Sequence, residues 1–335
     1  MKDERGVTIS LYEAGTITHE IKIQKNDSIV LENAHLRIVV LPEIGAKIFE
    51  FTDKRTDRDL LFHHPRVEIR PPVFGVNVDN WWSGGIDDAF PTGQQAHVNG
   101  EDLPFLGEVW SLPWSVEVLS PFSIKLSRMG IITPFLMEKT LTLKADSTFL
   151  NIEYSISNIG TTSFPYIWGI HPAFPISKRI RLHIPAQSCW YVDGTGPIGT
   201  SDQFRKALEP ARWPIESLIN ISSSDPLSWE YYYLADLTGG WMALTDEVAD
   251  TGFGISFDRE IFPNVHIWMV NGGWRGIRTI AVEPWSAMPS GLDHAITAGT
   301  ARELKVGEKI ITNVKMIAFK PKNDIKGFKE NGELV

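Results

Sequence analysis

Polar and apolar residues alternate with a period of two along most of this chain, and no apolar pattern of helical period runs to normal length. His35-Leu36-Arg37-Ile38-Val39-Val40 alternates, Pro42 and Gly45 interrupt, and residues 46–51 resume the pattern. Residues 137–157 spell a hairpin: Met137, Leu141 and Leu143 share one face, while Glu138, Thr140, Thr142 and Lys144 share the other. After a turn at Asp146-Ser147, Leu150, Ile152, Tyr154 and Ile156 alternate with Asn151, Glu153, Ser155 and Ser157, the signature of an antiparallel pair with one wet face. Residues 180–184 and 312–319 read the same way, and 27 Gly and 21 Pro spread along the chain supply the turns between many short strands. Residues 201–209 predict one short helix that Pro210 stops. The pattern predicts an all-β fold of antiparallel sheets, a sandwich forming one domain over residues 1–335. Its core lies at about 28–319, and the polar Lys/Glu-rich tail 320–335 is expected to fray.

Composition narrows the function. With 43% apolar residues the chain fills a large core, and its net charge of −9 without a long Lys/Arg block leaves no face for displacing phosphate counterions. Nucleic acid is therefore excluded as a partner. No stretch approaches the ~20 apolar residues that cross a bilayer, and Met1-Lys2-Asp3-Glu4-Arg5 leads into no apolar run, so neither a membrane span nor a signal peptide is expected. A single cysteine, Cys189, forbids an internal disulfide and fits a reducing cytoplasm. The 12 Trp, beside 17 Phe and 7 Tyr, exceed what turns and surface need. Most build core, and some suit a carbohydrate cleft, where the C–H faces of a sugar pack on flat rings.

Two segments share a construction. In Tyr166-Ile167-Trp168-Gly169-Ile170-His171-Pro172, alternation puts Gly169 and His171 on one face; in Ile277-Arg278-Thr279-Ile280-Ala281-Val282-Glu283-Pro284, it puts Ala281 and Glu283 on one face. Each titratable residue precedes a proline, which holds it extended and ends donation to the ladder, so each is expected at the rigid mouth of a strand. The small neighbour two residues back leaves room beside the side chain. Alone, either residue reads equally as a structural histidine or a solvated carboxylate; together they are the parts of a general acid–base site. Further candidates are Asp87 and Asp88, which bind sugar hydroxyls or a cation, or else cap the turn after Gly84-Gly85. Glu108 is a cleft or surface carboxylate, and Trp268 and Trp285 are stacking platforms or core. Arg70 reaches an anionic or hydroxyl group or sits on the surface. His63, His64, His183, His266 and His294 have no evident partner, and no Cys/His cluster suggests zinc.

Taken in order, several segments resemble the aldose 1-epimerases. His171-Pro172-Ala173-Phe174 resembles their His-Pro-aromatic-Phe motif, and Val282-Glu283-Pro284-Trp285 with Pro289 and Leu292 their C-terminal Glu-Pro segment. Gly84-Gly85-Ile86-Asp87-Asp88-Ala89-Phe90-Pro91 and Gly107-Glu108-Val109-Trp110-Ser111-Leu112-Pro113-Trp114 resemble stretches of the galactose mutarotase-like branch. The set spans roughly residues 30–318. The resemblance implies a β-supersandwich with a sugar cleft, a small-molecule carbohydrate substrate and no cofactor or metal. It also implies that His171 protonates the ring oxygen while Glu283 takes the proton of the anomeric hydroxyl, opening the ring so that it closes on either face. One position departs: where members carry a second His before the Gly matching Gly107, this chain has Leu106, with His97 on the preceding loop as a conceivable substitute. The expected function is thus an isomerase interconverting the anomers of a monosaccharide. The alternatives are a non-catalytic sugar binder on the same fold and a glycoside hydrolase or lyase pairing Glu283 with Asp87 or Asp88.

Overall fold

The alternating segments form strands whose buried residues face one another across two stacked antiparallel sheets. The computed structural model describes residues 16–192, 210–322 and 324–335; the helix expected at 201–209 lies outside them. Leu36–Leu41 pairs with Lys47–Asp53, and Phe135–Thr142 pairs with Phe149–Asn158, Met137 opposite Ile156 and Leu141 opposite Ile152. Among the described residues one sheet has twelve strands. Its centre runs Lys47–Asp53, Ile86–Ala89, Gly169–Pro175, Arg278–Trp285, Asn264–Asn271 and Ser228–Ala235. The other sheet has nine, with Lys309–Phe319 between Thr251–Ser256 and Phe149–Asn158.

Between the sheets, Ile86, Ile170, Phe174, Ile280 and Val282 of the larger meet Met137, Leu141, Ile152 and Met316 of the smaller in one continuous apolar cluster. Each fully buried side chain of this kind contributes roughly 1.5–3 kcal/mol, so this layer holds the sheets together and fixes which face of every strand points away from it. A second cluster, containing Leu106, Tyr231, Trp268, Ala281 and Trp285, covers the outer face of the larger sheet. That face carries the candidate site.

The tail does not fray over its described part. Ile325 is buried, Phe328 packs edge-on against Trp241, and backbone bonds from Lys326 to Val335 and from Val335 to Gly327 close it on itself. Its few apolar residues, Ile325, Phe328, Leu334 and Val335, sit among charges that dominate the composition, which is why the sequence reads as solvated. No helix among the described residues is long and apolar enough to cross a membrane.

Candidate active site

The strands Gly169–Pro175 and Arg278–Trp285 are antiparallel neighbours, with Gly169 paired to Trp285 and Ala173 to Ala281. His171 lies two residues in from one pair and Glu283 two residues in from the other, so they stand opposite each other on the same face. Pairing lapses between those points, where Pro172 and Pro284 bring no N–H to the ladder. The strands run through both prolines, so the prolines open the ladder beside the site and do not mark strand mouths. Asp87 is paired to His171 and His266 to Glu283. Four titratable side chains therefore form a row across four adjacent strands.

His171 Nε2 is 3.6 Å from Glu283 Oε1, with side-chain exposures of 12% and 2%. Trp285 Nε1 donates to Glu283 Oε2 at 2.8 Å, which leaves Oε1 to face the imidazole. Burial pushes the Glu283 carboxyl above the ordinary carboxylate range, opposed by the His171 charge and the Trp285 hydrogen bond. The indole of Trp285 lies between two supports. On one side it stacks on His266 at 4.9 Å and 11°, an imidazole that burial holds neutral, well below its usual pKa, with Tyr231 Oη 3.1 Å from its Nδ1. On the other it fills the space over Gly169, where a Cβ would sit 2.3 Å from Trp285 Cε2. The small residue two before His171 thus makes room for the indole that holds Glu283, a use different from the expected clearance for the histidine.

His171, Tyr231 and Glu283 line a chamber of about 60 Å³ with Trp82, Leu106, Trp268 and Trp285. Trp82 meets His171 edge-on at 5.8 Å, and Trp268 is tilted over it at 6.1 Å. Buried polar atoms normally find partners, yet His171 Nδ1, Glu283 Oε1, Trp82 Nε1 and Trp268 Nε1 have no hydrogen bond among the described residues. Apolar ring surface beside an imidazole–carboxylate pair in one cavity suits a molecule that is greasy on its faces and hydroxylated at its edges. Among the described residues no His, Cys, Asp or Glu side chains gather as a metal-ligand set.

His171, Glu283, Trp268 and Trp285 are brought together; the other four candidates are not. Asp87 stands beside His171, but its carboxylate is fully buried against Lys47 Nζ at 2.5 Å. Asp88 points between the sheets to Lys139 Nζ at 2.8 Å. Both are internal ion pairs, neither turn caps nor sugar ligands. Glu108 is fully buried and accepts from the backbone N–H groups of Ile131, Ile132 and Thr133 at 2.6, 2.7 and 2.9 Å. It pins a turn and is neither a cleft group nor a surface carboxylate. Arg70 is exposed and stacks over Trp81 at 3.9 Å, outside the chamber lining. His97 pairs with Asp102 at 2.7 Å on an exposed hairpin, while Leu106 does line the chamber; the histidine does not take its place. The sequence reading missed His266, Tyr231, Trp82, Gln94 and Ser290, the last four of which line the chamber. A signal existed for His266: every residue of Asn264–Asn271 is buried, and a histidine in such an apolar run requires a partner.

Facing antiparallel sheets, with a deep aromatic chamber holding an imidazole–carboxylate pair on the outer face of one, define a large β-sandwich. The aldose 1-epimerase family model matches residues 27–209, more than half of the chain, and the protein belongs to that family. Solved structures agree on the fold. It is similar to the Slr1438 protein of Synechocystis sp. PCC 6803, at 18% identity over 91% of this chain and 100% of that one, TM-score 0.66. It is also similar to a galactose mutarotase-like protein from Lactobacillus casei ATCC 334, at 16% identity over 87% and 100%, TM-score 0.63. A galactose mutarotase related enzyme from Lactobacillus acidophilus matches at 16% over 89% and 99%, TM-score 0.63. The galactose mutarotase-like, antiparallel all-β fold expected from the sequence is the fold observed.

Proposed function

We propose that this protein is an aldose 1-epimerase-like isomerase that interconverts the anomers of a sugar by general acid–base opening of the ring, with His171 as acid at the ring oxygen and Glu283 as base at the anomeric hydroxyl. The observation that carries this is the separation of 3.6 Å between His171 Nε2 and Glu283 Oε1 in one enclosed chamber. Ring oxygen and anomeric hydroxyl hang from the same carbon, so a group serving each has to be a close neighbour of the other. A carboxylate destabilised by burial gains basicity toward neutral pH, and Trp285 keeps its other oxygen fixed. Proton movement is then between neighbours. The base takes the hydroxyl proton as the acid protonates the ring oxygen, C1 becomes an aldehyde, rotation exposes its other face, and the reverse transfers close the ring.

One feature favours a second reading, a sugar-binding protein without turnover: Leu106 places apolar surface in the chamber, where it can neither donate nor accept a hydrogen bond. Hydrolysis through Asp87 or Asp88 loses support, since both carboxylates are committed to lysines. Anomer exchange followed by NMR on a sugar panel separates the two readings that remain. The isomerase reading expects His171→Ala and Glu283→Gln each to lower kcat/KM by about 10²–10⁴-fold. Binding without acceleration by the wild type supports the binder instead.

A further inference from the structure

The inner chamber has an outer neighbour of about 400 Å³, and Val78, Asp79, Phe105, Trp268 and Trp274 belong to the walls of both. Small-molecule sites usually measure about 300–1,000 Å³; the outer chamber lies in that range and the inner, at about 60 Å³, does not. A single ring seated at His171 and Glu283 would leave the outer chamber unused.

The outer walls have the make-up of a sugar subsite. Trp229 and Trp274, stacked at 5.9 Å and 26°, add half-buried ring surface that continues from Trp268. Asn77 and Gln95 are exposed along the rim. At the junction, Trp268 Nε1 has no partner among the described residues and Asp79 contributes a half-buried carboxylate. Burial raises the Asp79 pKa, with Arg275 opposing. Hydroxyls bind such a carboxylate, and anionic groups are repelled by it.

We propose that the outer chamber is a second sugar subsite, and that the substrate is the reducing end of a neutral saccharide of two or more units. This deepens the isomerase reading and rests on it for orientation. The unit at His171 and Glu283 must keep its anomeric hydroxyl free, so the unit in the outer chamber is attached through another hydroxyl. Trp229, the Asn77 side chain and Gln95 line only the outer chamber, so they distinguish the second unit from the first.

The test compares glucose and galactose with maltose, cellobiose and lactose, measuring binding by calorimetry and anomer exchange by NMR. The expectation is at least one disaccharide bound tenfold or more tightly than its reducing-end monosaccharide. Trp229→Ala should erase that advantage while leaving monosaccharide binding within twofold. Gln95→Trp, which fills the outer chamber from an exposed position and spares the core, should do the same if Trp229→Ala proves unstable. Equal binding of mono- and disaccharides, unaffected by either variant, overturns the subsite and leaves the isomerase reading standing. Tight disaccharide binding without exchange upholds the subsite and removes the isomerase reading. Failure of every sugar to bind overturns both.

Discussion

Gly169→Ala probes how the fold holds its base. The added Cβ would lie 2.3 Å from Cε2 and 2.4 Å from Cδ2 of Trp285. Carbon atoms rest about 3.5–4.0 Å apart, so the indole must retreat by about 1 Å or more. The strand itself has little freedom, since Gly169 is ladder-paired on one side to Trp285 and on the other to Ala89. A displaced indole withdraws Nε1 from Glu283 Oε2, a hydrogen bond to a charged group worth about 1.5–3 kcal/mol. At 1.4 kcal/mol per tenfold, anomer-exchange kcat/KM should fall about 10–100-fold. Overpacking should also cost about 1–3 kcal/mol of stability, readable by denaturant titration. Adding Trp285→Phe to Gly169→Ala gives the smaller ring the room it lacks; stability should recover while the rate stays low, because the donor is gone. A Gly169→Ala protein with wild-type stability and a rate within twofold of wild type would refute the account of how Glu283 is held.

Two further outcomes follow from buried charge. Glu283 titrates higher in the folded chain than in the unfolded one, so the stability linked to it is complete below the ordinary carboxylate pKa of about 4.3 and is lost as pH rises through the raised folded value. Glu283→Gln should therefore melt above wild type at about pH 8 and converge with it near about pH 4; a variant less stable than wild type at the higher pH contradicts this. Lys139→Met leaves Asp88 buried without its partner and should cost about 3–5 kcal/mol in chemical denaturation. Asp88→Asn added to it should return most of that. A loss below about 1 kcal/mol, the scale of a solvent-exposed pair, would mean that water reaches Asp88.

How much of this was readable beforehand depended on the range of the interaction. Period-two alternation is local, so the strands at 36–41, 135–142 and 149–158 could be placed from the residues themselves. The meeting of His171 with Glu283 joins segments more than a hundred residues apart, and nothing in either segment states the register that sets them opposite. The family resemblance supplied the pairing, and the shared proline supplied only a reason to look. The carboxylates misled for the same reason. Asp87 and Asp88 beside two glycines look like ligand groups until their cations are found on distant strands. A cue was available in Lys139, which shares the inward row of Met137 and Leu141 and is buried with them. Such a lysine demands an anion. Glu108 offered no comparable cue, because its partners are backbone N–H groups of a turn more than twenty residues away, and backbone donors leave no mark in a sequence.

The most direct test of the central claim is a crystal structure of the Glu283→Gln protein soaked with a reducing sugar that binds it. The account predicts the anomeric carbon between the two strands, His171 Nε2 within hydrogen-bond reach of the ring oxygen and the side chain at 283 within reach of the anomeric hydroxyl. A sugar bound with that carbon turned away from both, or seated elsewhere on the molecule, would contradict it.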